Sequence, residues 1–198
     1  MKKITFIFIA LLIGFGGYFS CKTFFNDSKG LPQFHRVVKK GLGFEKWTSI
    51  APKDENFSAS FPKKPKTETR ALPIPGSDDS LPYKEFKCEL EGGRHFSVSY
   101  TTLPETWTQY GNSLVLGGAL KVIMHELGKV ELVGKKSIDF KSFPGLDYEH
   151  YSATTETAGT LVLVNNILYK VEMTYPLEKH NNVQDELSNF IENFSPSL

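Results

Sequence analysis

Two runs of alternating apolar and polar residues meet at Gly92-Gly93, and they constrain the fold more than any other feature of the chain. In "YKEFKCELE", Phe86, Cys88 and Leu90 share one phase, while Glu85, Lys87 and Glu89 share the other. In "RHFSVSY", Phe96, Val98 and Tyr100 alternate with His95, Ser97 and Ser99. Successive side chains of a strand point to opposite faces, so each run reads as a strand with one buried face. Glycine tolerates the positive φ that a tight turn needs, and the Gly-Gly pair joins the runs into a β-hairpin. A chain built on such a hairpin must form a sheet and cover its apolar face.

The rest of the chain supplies more strands and two covers. "NFSASF" alternates and stops at Pro62 and Pro65. Residues 62–80 hold four prolines with Gly76, Asp78 and Asp79, which predicts a long surface loop. A helix is expected from a cap at Asn112 or Ser113 to a last turn before Gly128. Its stripe is Leu116, Ala119, Leu120, Ile123 and Leu127, and Gly117 and Gly118 each cost it about 1 kcal/mol. Then come "KVELVGKKSIDF", "GLDYEHYSA", "TLVLV" and "ILYKVEMTY", with Asn165-Asn166 turning the last pair. A second helix from Asn182 carries Val183, Leu187, Phe190, Ile191 and Phe194 on one face. The expected fold class is therefore α+β: an antiparallel β-sheet flanked by helices, in an α-β-α sandwich. Phe86, Phe96, Val98, Leu120, Ile123, Tyr169, Val171, Phe190 and Phe194 are expected to be buried together.

The apolar run of residues 4–20 follows Lys2 and Lys3 and contains no charge. At seventeen residues it is short for a spanning helix, which needs about 20. Positive charges before it and small residues near its end read as a signal peptide or membrane anchor over residues 1–21. Ser20-Cys21 resembles a bacterial lipoprotein signal, in which the Cys is lipidated and becomes the mature N-terminus; Tyr18 and Phe19 depart from that pattern. A lipoprotein signal, an ordinary cleaved signal and an uncleaved anchor all fit. Lys22, Lys29, Arg36, Lys39 and Lys40 follow the run, a flank that the positive-inside rule draws toward the cytoplasm. Residues 22–46 read as a basic stalk and residues 47–198 as the folded domain. The expected location is the bacterial cell envelope, outside the cytoplasm and membrane-tethered, with a secreted or periplasmic soluble domain as the alternative.

Charge excludes one class of partner. The first fifty residues hold eight Lys or Arg against two acids, and the remainder fifteen against twenty. A mildly acidic domain offers no face to neutralise phosphates, so no nucleic acid is expected. The one local basic patch is Lys63, Lys64 and Lys66 in "PKKPK", a contact surface for an acidic partner or anionic lipid.

Catalytic motifs do not survive inspection. "MHELGK" has Lys129 where a zinc-protease helix needs its second His, so His125 and Glu126 read as the exposed edge of a helix. "GKVELVGKK" lacks P-loop spacing, and the five His are scattered without ligand spacing. Cys88, in phase with Phe86 and Leu90, reads as a buried inert thiol. His150, with Asp147 and Glu149, reads as part of a solvated strand face, and Asp78-Asp79 as turn chemistry. No catalytic residue, cofactor or metal is assigned.

"FSASFPKKPK", "FPGLDYE", "NNILYKVEM" and "FIENFSPS" together resemble the PsbP/Mog1-like α-β-α sandwich group, in particular its small secreted bacterial members of unknown role. The resemblance covers residues 47–198 and rests on strand, turn and packing residues. It implies an antiparallel sheet between helices, action by contact with other proteins, and no catalytic residue. The functional expectation is a non-enzymatic, membrane-tethered interaction module that docks another protein. The rivals are a carrier of a small apolar ligand and a hydrolase with an unrecognised site. A docking module needs an exposed apolar patch, a carrier an apolar pocket, and an enzyme a cleft of converging titratable groups.

Overall fold

The computed structural model describes residues 44–74 and 78–197. A 3-10 turn, Phe44–Lys46, leads into β1 (Thr48–Ile50), and Trp47 sets its ring edge-on against Phe44 and Phe96. β1, β2 (Phe57–Phe61) and β10 (Ser195–Pro196) form a small antiparallel sheet in the order β1-β2-β10. The main sheet has seven antiparallel strands in the order β3-β4-β5-β9-β8-β7-β6. They are β3 (Lys66–Pro73), β4 (Ser80–Leu90), β5 (Arg94–Thr102), β6 (Glu131–Phe140), β7 (Phe143–Tyr151), β8 (Thr155–Val164) and β9 (Ile167–Pro176). The helices are α1 (Glu105–Thr108), α2 (Asn112–Leu127) and α3 (His180–Glu192).

The hairpins follow the turn chemistry. Gly92 and Gly93 both adopt positive φ, and Cys88 opposes Phe96 across β4 and β5. Asn165 takes φ 53° between β8 and β9. β6 and β7 turn through Lys141 and Ser142, both at positive φ without a glycine. Lys141 Nζ donates to the carbonyls of Glu192 and Phe194, each at 2.7 Å, so the same residue caps the end of α3.

Four expectations need correction. Residues 62–80 are not one loop, because β3 lies inside them as the edge strand paired with β4. Gly111, not Asn112 or Ser113, occupies the cap position of α2. α3 begins at His180, two residues before Asn182. The expected single core is two clusters, because strand alternation sends apolar side chains to both faces of the main sheet. One face packs Phe86, Phe96, Val98, Tyr169 and Val171 against α3 and the small sheet, where Phe57 meets Phe86, and Phe190 meets Phe61 and Phe96, edge to face, while Phe194 lies tilted against Phe57. The other face packs Leu146, Tyr148, Leu161 and Leu163 under Leu116 and Leu120 of α2. Leu120 and the half-buried Ile123 therefore belong to the second cluster, not the first.

Topology decides what α2 covers. The chain leaves β5 in the middle of the sheet and must reach β6 at the far edge. On that path α2 overlies β7 and β8. Among the described residues, no helix packs to a similar extent on the β3-β4-β5 part of the same face.

Candidate functional site

The half-covered face forms a groove of about 340 Å3 between α2 and the strands. Its floor is Tyr83, Ser99, Thr101, Leu161, Leu168 and Lys170, drawn from β4, β5, β8 and β9. Arg70, Leu72 and Pro73 of β3 build the far wall with Leu81 of β4. α2 contributes Val115, Gly118, Ala119, Val122 and Ile123. Gly118 explains part of the helix's poor propensity, since a side chain there would enter the groove. Tyr110, Leu114, Val122 and Leu127 also line it and are exposed at its rim, Leu114 at 65 % and Leu127 at 49 %. Leu127 was expected on the buried stripe; it sits on the groove side of the last turn instead.

Charge gathers at one end. Lys170 Nζ donates to Glu172, and Tyr148 Oη donates to the other Glu172 oxygen. Tyr148 reaches across Gly159, where an added Cβ would stand 3.0 Å from its hydroxyl. Burial opposes the charge on both Lys170 and Glu172, but their mutual attraction prevails: the lysine is held above and the carboxyl below its ordinary pKa. Burial, then Glu172, pushes the Tyr148 phenol well up. A second, smaller recess of about 120 Å3 adjoins this end, lined by Glu85, Lys87, Glu89, Ser97 and Glu172 among others. There Lys87 pairs with Glu68 at 2.7 Å.

No family model matches the chain, and no curated protein matches it. Solved structures do match. The solution structure of cyanobacterial PsbP from Synechocystis sp. PCC 6803 superposes with a TM-score of 0.56 at 12 % identity, over 81 % of this chain and 98 % of that one. The fold is PsbP-like. A crystal structure of a Pseudomonas aeruginosa protein of unknown function matches at TM-score 0.40 and 9 % identity, over 77 % of this chain and 98 % of that one, too low to add to the argument.

The PsbP-like sheet redistributes the residues singled out by sequence. Cys21 lies outside the described residues. Lys63, Lys64 and Lys66 are exposed around the β2-β3 turn, away from the groove lining. Cys88 is buried on the α3 face, as its phase predicts, and burial raises its thiol pKa. His125 and Glu126 are exposed on α2. His150 is a correction: it is 4 % exposed, stacked parallel to Tyr148, with neither ring nitrogen bonded among the described residues. Asp147 and Glu149 are buried too, on the opposite face, and Asp147 accepts a hydrogen bond from Thr160 at 2.7 Å. β7 lies inside the sheet with both faces covered, so its alternation does not mark a solvated side. Among the described residues no group of His, Cys, Asp and Glu is placed to hold a metal ion, and no helix is long and apolar enough to cross a membrane.

Sequence reading missed the groove. Its floor alternates correctly along each strand, but the groove exists because α2 covers only half the sheet, a fact of topology.

Proposed function

We propose that the domain is a non-catalytic binding module that receives an apolar chain in the groove between α2 and β3-β4-β5. The observation that carries this reading is the groove itself. Its volume of about 340 Å3 falls within the range of small-ligand sites, and its walls are mainly aliphatic and aromatic. The neighbouring titratable groups satisfy one another, Lys170 with Glu172 and Tyr148, rather than directing a nucleophile into the space. The apolar segment and Cys21 support tethering in the bacterial cell envelope.

Calorimetric titration with decanol tests the reading. The domain is expected to bind it saturably with a negative heat-capacity change, the mark of apolar burial. Gly118→Phe fills the groove from the helix side and removes a helix glycine, so it should abolish binding without lowering the melting temperature. Absence of decanol binding, or equal binding by the variant, contradicts the proposal.

A second reading, docking of another protein, draws on the exposed rim of Tyr110, Leu114, Val122 and Leu127. Photo-crosslinkers at positions 114 and 127 in intact cells test it. A discrete protein adduct at both supports docking, and adducts to lipid alone oppose it.

A further inference from the structure

Three residues on the sheet side of the groove, Ser99, Lys170 and Arg70, carry hydrogen-bond donors. Ser99 stands across from Lys170 on β9 and across from Glu85 on β4, so the three form one row. Ser99 is fully buried, lines the groove, and its hydroxyl has no hydrogen-bond partner among the described residues. Such a hydroxyl destabilises a fold unless something meets it. Lys170 also lines the groove, and its bond to Glu172 uses one of the three N–H donors of the ammonium. Arg70 lies with Cζ 4.6 Å from the Tyr83 ring centroid, and no carboxylate pairs with it among the described residues. Of the carboxylates nearby, Glu172 receives Lys170 and Tyr148, Glu85 stands in the Ser99 row and lines the adjoining recess, and Glu126 lines the groove from α2. Donors on Ser99, Lys170 and Arg70 therefore share the sheet side of the groove, with Glu126 the one carboxylate among the described lining residues.

We propose that the groove's ligand is a straight-chain amphiphile with a carboxylate head, a free fatty acid, whose chain lies along α2 and whose carboxylate meets Ser99, Lys170 and Arg70. This rests on the groove reading above and adds the identity of the polar end. Carboxylate oxygens accept from a hydroxyl, an ammonium and a guanidinium alike.

Titrations with decanoate, decanol and decylammonium at neutral pH separate the two levels. Decanoate is expected to bind at least about tenfold more tightly than decanol, and decylammonium most weakly. Ser99→Ala should weaken decanoate about three- to tenfold while leaving decanol binding and the melting temperature unchanged. Arg70→Gln should reduce the preference for decanoate and its sensitivity to salt. Decanol binding with decanoate no tighter overturns the carboxylate assignment alone. So does Ser99→Ala if it lowers the melting temperature and spares decanoate, because the hydroxyl is then structural. Failure of all three probes overturns the assignment and the groove reading together.

Discussion

At the residue scale, tight packing and unpaired polarity make separable predictions. A Cβ added at Gly159 would stand 2.7 Å from both Glu172 Cβ and the Val171 carbonyl oxygen. Gly159→Ala should therefore cost about 1–3 kcal/mol by overpacking, read as a lower urea midpoint with an unchanged slope. His150 gives a pH dependence. Burial lowers its folded pKa below the ordinary 6.5, with Glu172 partly opposing that shift and Lys170 adding to it. Between the two pKa values the unfolded chain binds the proton and the folded chain does not, so stability rises with pH there. The contribution is complete above about 6.5 and is lost as pH falls through the folded value. His150→Phe should flatten this part of the stability curve, and superimposable curves for the two proteins would refute it. The same residue shows a limit of the sequence. Period two revealed which face each β7 side chain occupies, but not that α2 covers the His150 face, since that depends on a helix remote in the chain.

At the element scale, the two helices differ in how far they are buried. All five stripe residues, Val183, Leu187, Phe190 and Ile191 in α3 and Phe194 just beyond it, are at most 2 % exposed, and each contributes about 1.5–3 kcal/mol through burial. Phe190→Ala should cost about 3–5 kcal/mol. Ile123 of α2 lines the groove and is only half-buried, so Ile123→Ala should cost about 1 kcal/mol. Equal losses in chemical denaturation would mean that the helices are equally embedded. Both stripes were legible because their spacing matched the helical repeat. β3 was not legible: it is an edge strand, exposed from Lys66 to Ala71, and a strand without a buried face leaves no alternation to read. The prolines around it added a loop signature that pairing with β4 overrode.

At the scale of the whole molecule, the hairpins and the two-sided helical cover could be inferred from local patterns, whereas the strand order could not. β5 pairs with β9 across more than sixty intervening residues, and no turn signal specifies that choice. Yet this order sends α2 over β7 and β8 and opens the groove. The proposed tether is a separate matter, assigned to residues 1–21 from the sequence alone. If Cys21 is lipidated, Cys21→Ala should leave an unprocessed 22.3 kDa precursor without lipid, detected by mass spectrometry of the intact protein. A wild-type chain with an unmodified Cys21 contradicts the lipoprotein proposal. The central claim is that the half-covered sheet face receives an apolar chain, and methyl NMR during a decanol titration tests it most directly. The groove methyls of Leu72, Leu103, Val115, Leu161 and Leu168 should shift together along one saturable isotherm, while Val162, Leu187 and Ile191 of the α3-side core stay in place. Saturable shifts confined to Leu177, an exposed residue outside the groove lining, or no saturable shift at all, would contradict it.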